Sequence, residues 1–302
     1  MLPVYYSDFV ELPLPEKHVF PRDKYRLARE LVALSAAELA IELRPAPLAT
    51  DEQLLRVHTA DYVRRVHAGE LTAEEQRAIG FPWSPGFVER SLRSTGATIA
   101  AADFAANENA WAAHLAGGTH HASADRGQGF CVFNDIAVAI RQMQQYYKHQ
   151  FLVLDCDVHQ GNGTAEIFAG DANVFTCSIH GAKNFPLKKA VSDLDLPLDD
   201  GCDDATYLPL LNATLAEIER RFTPTFVFYI SGADPYVDDR YGRMALTKAG
   251  LVERDRRVFT WVRERALPLV TVMGGGYARN VGDIAEIYAN TIMALAESEL
   301  RG

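Results

Sequence analysis

The chain has 302 residues, 48% hydrophobic and 23% charged, a globular composition that excludes a disordered or collagen-like chain. Asp plus Glu total 40 and Lys plus Arg total 30, a net charge of −10, so no DNA binding is expected, while a cationic substrate stays compatible with a negative surface. Read in chain order, a strand over Pro3–Tyr6 precedes helical spacing at Arg22–Leu39 and Asp51–Ala68 and an Ala-rich helix with proline at its start, Pro85–Asn107. A strand at Trp111–Ala116 leads to helix Asn134–Tyr147, for which Asn134 is the expected N-cap. Strands Phe151–Asp155 and Val174–Ser178 follow, then helix Asp203–Arg221, strand Phe226–Ser231, helix Thr247–Arg265, strand Leu269–Met273 and helix Asn280–Leu295. Runs such as FLVL and FVFYI are apolar at consecutive positions, as in a parallel strand buried on both faces. The alternation predicts one α/β domain over 1–302 with a mostly parallel sheet and helices on both faces.

Cys131, Cys156, Cys177 and Cys202 form no C-x-x-C pair, which fits a reducing compartment. The start, MLPVYYSDFVEL, lacks the basic and apolar regions of a secretory signal, and no run of 18 apolar residues exists. The expectation is a cytoplasmic protein without a membrane partner.

In open α/β sheets, sites lie beyond the C-terminal strand ends. Four of the predicted strands run into chemistry there: Gly117-Gly118-Thr119-His120-His121, Asp155-Cys156-Asp157-Val158-His159, Ser231-Gly232-Ala233-Asp234 and Gly274-Gly275-Gly276-Tyr277. Asp155, Asp157 and His159 alternate, so extended backbone turns all three to one side. Buried carboxylates need compensation, and a divalent cation supplies it; oxygen and nitrogen ligands without thiolate suit Zn²⁺ or Fe²⁺ with an open position. A salt-bridged strand end would use the same residues. Asp234 is either a third ligand beside Asp157 and His159 or a helix cap. His120 and His121 can face one pocket from a glycine-loosened turn, with Asp155 and Asn162 available to fix their tautomers. Tyr277 either packs or donates its hydroxyl to a polarised carbonyl, and the glycine run before it lacks the G-x-x-x-x-G-K of a phosphate loop.

Together GGTHHASADRGQGFCVFNDIAVAI (117–140), VLDCDVHQGNGTAEIF (153–168), SGADPYVDDRYGRMALT (231–247) and MGGGYARN (273–280) resemble the histone deacetylase family of the arginase–deacetylase fold, whose sheet has about eight strands. HQGNG and HGAKNFPLKKAVSDLDLPLDDG (180–201) look like the class IV branch and its bacterial relatives; class I members usually carry Asp where this chain has Asn162. The resemblance implies Zn²⁺ (or Fe²⁺) on Asp157, His159 and Asp234, Asp155 orienting His120, Asn162 orienting His121, and Tyr277 donating to the substrate carbonyl. It further implies that Gly129 and Phe130 line a tunnel for the acyl-lysine stem. A K⁺ or Na⁺ ion would sit beside Asp155, Asp157, His159 and Ser178, and Lys24 falls near the basic residue of the acetate exit. The implied activity is hydrolysis of an acetyl or longer acyl group from a lysine-like amine of a protein, polyamine or small metabolite. A non-catalytic acyl-lysine-binding protein and an arginase-like binuclear manganese ureohydrolase are the alternatives on the same scaffold.

Overall fold

The computed structural model describes residues 1–300, so positions 301 and 302 of the expected domain lie outside the described residues. Eight parallel strands form one sheet: β1 (Leu2–Tyr6), β2 (Ile41–Pro45), β3 (Trp111–His114), β4 (Phe151–Asp155), β5 (Val174–Gly181), β6 (Leu194–Leu198), β7 (Phe226–Ile230) and β8 (Leu269–Val272), in the order β2-β1-β3-β8-β7-β4-β5-β6. The helices are α1 (Lys24–Ser35), α2 (Asp51–Leu54), α3 (Ala60–Ala68), α4 (Ala73–Ile79), α5 (Pro85–Glu108), α6 (Asp135–Met143), α7 (Asn162–Phe168), α8 (Asp204–Arg221), α9 (Lys248–Glu264) and α10 (Val281–Leu300). No helix among the described residues is long and apolar enough to cross a membrane.

Strand alternation sorts the apolar residues into two cores. Leu152, Leu154, Val227 and Tyr229 face one core with side chains of α1, α8, α9 and α10. Phe151, Val153, Phe226 and Phe228 face the other with α3, α5 and α6. Both faces are thereby dry, which is why the central strands read as unbroken apolar runs.

All six predicted strands are present. The two that the pattern missed, β2 and β6, are the sheet edges. Their sequences, IELRP and LDLPL, are mostly half-buried and carry charge or proline, as edges tolerate. The helix expected over Asp51–Ala68 is two helices. Thr59 breaks it by leaving the helical region (ψ 144°) and accepting the Tyr62 amide on its side chain, the cap of α3. Asn134 caps α6 as expected, accepting from the Ala137 amide at 3.0 Å.

The sheet order brings β3, β8, β7 and β4 side by side. These are the four strands whose C-terminal ends carry the histidine pair, Tyr277, Asp234 and the Asp-Cys-Asp-Val-His run.

Candidate active site

Asp157, His159 and Asp234 are buried and offer ligand atoms that all lie within 4.8 Å of one another. His159 Nδ1 is 3.0 Å from both Asp157 Oδ1 and Asp234 Oδ2. Backbone amides hold the carboxylates in place. The Gly275 amide donates to Asp157 Oδ2 at 2.6 Å, and the Val158 amide to Asp234 Oδ1 at 2.9 Å. Without a cation this grouping is strained in charge: burial and the neighbouring Asp157 carboxylate push the Asp234 carboxyl up to about 7. Two hard oxygen donors and one imidazole nitrogen converging on one point fit a divalent metal with room for further ligands.

The adjacent histidines share one pocket, ring centroids 4.1 Å apart. The turn that permits this uses Gly117 and Gly118 in the left-handed region (φ 75° and 72°). His120 Nδ1 lies 2.6 Å from Asp155 Oδ2, and His121 Nδ1 lies 2.7 Å from Asn162 Oδ1. These are the two pairings the resemblance implies, and they make the histidines unequal. Burial opposes charge on His120, but the Asp155 and Asp157 carboxylates outweigh it and hold the imidazole up at about 9. His121 is driven well below its usual value, first by burial and then by the neighbouring His120 and His159. Its neutral partner Asn162 accepts a hydrogen bond from Nδ1–H through Oδ1, which leaves Nε2 as a lone-pair nitrogen.

Tyr277 lies against this cluster, its ring 6.5 Å from that of His159. Burial, with Asp234 nearby, raises its phenol well above the usual value, so the hydroxyl keeps its proton. Beneath it Lys24 is fully buried. Its Nζ donates to the Gly276 carbonyl at 3.0 Å and sits 4.8 Å from the Tyr277 ring centroid and 4.9 Å from that of Phe20. Burial lowers its pKa to about 8. The loose sequence match for Lys24 thus falls beside the site, under the glycine run.

Gly129 and Phe130 form one wall of the approach. Gly129 has φ 56°, and a Cβ there would stand 2.6 Å from His121 Cδ2, so both conformation and space require glycine. Phe130 packs on Tyr277 at 5.6 Å. The opposite wall is Phe185, edge-on to His121 at 4.9 Å, a residue sequence reasoning did not single out. A mouth of about 460 Å³ between these walls narrows to a chamber of about 60 Å³ that Asp157, His159, both histidines and Tyr277 line. Ser178 pairs with Asp155 in the β4–β5 ladder, its Oγ 3.0 Å from His180 Nδ1.

Two more groups escaped the sequence reading because each acts on backbone groups far away in the chain. Asp135, the first residue of α6, is buried and accepts from the Gly118 amide (3.0 Å), the Thr119 amide (2.8 Å) and the Thr98 hydroxyl (2.7 Å), which fixes the turn before His120. Arg254 on α9 is buried behind the loops that carry Asp157 and Asp234. It donates to the Gly232 carbonyl at 2.8 Å and pairs with Asp255 at 2.9 Å.

Residues 18–295 match the family model described as Histone deacetylase domain. The chain is 41% identical over 298 residues to an uncharacterized protein of Picosynechococcus sp., with 98% of both chains covered. It is 28% identical to Histone deacetylase 2 of Arabidopsis thaliana, covering 97% of this chain and 77% of that one. To the acetoin utilization protein AcuC of Bacillus subtilis it is 29% identical, covering 91% and 76%. A crystal structure of an HDAC homolog complexed with SAHA superposes with a TM-score of 0.84 at 24% identity, over 98% of this chain and 84% of that one, a likeness of fold.

Proposed function

We propose that this chain, which belongs to the histone deacetylase family, is a metal-dependent amide hydrolase that removes an acetyl or longer acyl group from a lysine-like amine. One observation carries the reading: Asp157 and His159, the unequal histidine pair and Tyr277 line one small chamber behind an aromatic-walled mouth, with Asp234 converging on the same point from behind Asp157 and His159. Zn²⁺ or Fe²⁺ held by Asp157, His159 and Asp234 would supply carbonyl polarisation and a water acidic enough to attack near neutral pH. A K⁺ or Na⁺ ion beside Asp155, Asp157, His159 and Ser178 completes the reading.

The chain's own groups carry the remaining work. His121 Nε2, neutral and tautomerically fixed by Asn162, takes a proton from the attacking water. The carbon–nitrogen bond then breaks, and the same proton passes to the departing amine nitrogen, giving a carboxylic acid and an amine. His120, held charged by Asp155, keeps its proton and contributes positive potential beside the developing oxyanion. Tyr277 donates a hydrogen bond to that oxyanion. Phe130 and Phe185 exclude water from the methylenes of the stem. Beyond the chamber, and sharing Phe20, Tyr25, Thr119 and Phe130 with it, a further cavity of about 70 Å³ is mostly apolar, which supports acyl groups longer than acetyl.

The test is a panel of acyl-lysine, acylpolyamine and guanidino substrates with the purified protein and defined metals. Release of acid from acyl-amines with one metal per chain is expected. Binding of acyl-lysine without turnover in the metal-replete protein, or urea release with two manganese ions, would replace this reading.

A further inference from the structure

The mouth carries charge of one sign. Its walls are aromatic, and its ionised rim residues are Lys183 and Arg243; no carboxylate lines it among the described residues. Both side chains are mainly exposed, 68% and 55% for Lys183 and Arg243, and both lean on a single acid, Asp200, at 3.5 and 3.1 Å. Two cations against one carboxylate leave a positive excess. The segment behind Phe185 adds to it: residues 182–191, AKNFPLKKAV, hold Lys188 and Lys189 besides Lys183, and no acid. Within it Lys189 donates to the backbone carbonyls of Asn184 and Pro186, with the Asp195 carboxylate near enough to offset part of its charge. This rim lies on a chain of net charge −10. At physiological ionic strength the screening length is about 8 Å. What a substrate meets at the mouth is therefore the local rim and not the net charge.

We propose that the mouth selects acyl-lysine substrates that carry a carboxylate close to the lysine, and disfavours acylpolyamines. The inference rests on the deacylation reading above. With the amide in the chamber and the stem between Phe130 and Phe185, whatever follows the stem lies beside Lys183 and Arg243. In an acylpolyamine that part is one or more ammonium groups, which those cations repel. In an acyl-lysine it is either the lysine's own α-carboxylate or the side chains of neighbouring Asp and Glu, which they attract.

The experiment compares kcat/KM of the metal-loaded protein for acetyl-lysine peptides flanked by Asp, Ser or Lys, for free Nε-acetyl-lysine against its amide, and for acetylputrescine and acetylspermidine. At low salt the Asp-flanked peptide is expected to exceed the Lys-flanked one by about tenfold, as two weakly screened charge contacts allow, and the ratio is expected to shrink at 0.5 M salt. A preference confined to free acetyl-lysine over its amide identifies the α-carboxylate as the group read; a preference among the peptides identifies flanking side chains. Lys183→Glu with Arg243→Glu is expected to reverse the order, and Lys183→Gln with Arg243→Gln to level it. Equal rates in both arms, faster turnover of the acetylpolyamines, or a preference that survives charge reversal overturns the inference while leaving the hydrolase reading standing. No hydrolysis of any substrate removes the hydrolase reading and this inference with it.

Discussion

Replacing Tyr277 by Phe removes one oxygen atom and keeps the ring. Among the described residues that oxygen has no hydrogen-bond partner, while the ring packs on Phe130 at 5.6 Å and Tyr241 at 5.2 Å and lies 4.8 Å from Lys24 Nζ. Nothing that holds the fold together is lost, so unfolding free energy should change by less than about 0.5 kcal/mol. Catalysis should respond differently. An oxyanion donor acts where charge develops, and losing one typically costs about 10²–10³ in kcat, near 3–4 kcal/mol. Because burial keeps the phenol protonated, the loss should be uniform from pH 6 to 9 and not confined to one limb of the profile. The assay is kcat and KM on an acetyl-lysine peptide, with metal content and melting temperature measured on the same preparation. The variant should hold its metal, melt with wild type and turn over slowly. A metal-replete Tyr277→Phe protein working within twofold of wild type would refute the assignment and leave Tyr277 a packing residue.

Four further outcomes are expected. Asp157→Ala and Asp234→Ala should each lose the divalent metal in a titration followed by elemental analysis; full occupancy in both would remove the triad from the metal site. Asn162→Asp should raise the pKa of His121, because a carboxylate favours the imidazolium, so the acid limb of the pH–rate profile moves to higher pH; an unmoved limb would dissociate Asn162 from the base. Asp135→Ala leaves the buried amides of Gly118 and Thr119 without an acceptor, at about 1–3 kcal/mol each, and should lower both the denaturant midpoint and kcat, whereas a change in the midpoint alone would separate the turn from catalysis. Burial lowers the folded pKa of His58 to about 4 against an unfolded value of 6.5. Its contribution is therefore intact above pH 6.5 and falls by up to about 3 kcal/mol toward pH 4, a slope that His58→Gln should flatten in denaturant titrations.

The strand-end rule worked here because the sheet buries both faces. Consecutive apolar residues announced the central strands, and candidate site residues stand at or shortly after the end of each run: Asp155 closes β4, Asp234 follows β7 and Tyr277 follows β8. The edge strands β2 and β6 escaped because IELRP and LDLPL alternate apolar with charged or proline positions over only five residues, and show no consecutive apolar run. Asp157, His159 and Asp234 were legible because carboxylates and imidazole stand out against apolar neighbours. Phe185 was not, since an aromatic in a loop is written like any packing residue, and its place opposite Phe130 is set by contacts across the fold. Asp135 and Arg254 were hidden for the same reason: they act through backbone groups distant in the chain, and a sequence does not record which amide a carboxylate will reach.

The glycines around the chamber divide the site into a part open to redesign and a part closed to it. A Cβ on Gly275 would overlap the Asp234 carboxylate, one on Gly161 would overlap that of Asp155, and one on Gly118 would stand 2.9 Å from Gly274 Cα. No side chain can be added at these positions without displacing a site carboxylate or the neighbouring backbone, so the floor offers a breeder of new variants no tolerated first step. Phe185, at 40% exposure, and Lys183 and Arg243 beside it border open solvent. Descendants of this chain with different appetites should therefore differ at the rim while sharing an unaltered floor, and a mutational library concentrated on the rim should return far more working enzymes than one spread evenly over the cavity.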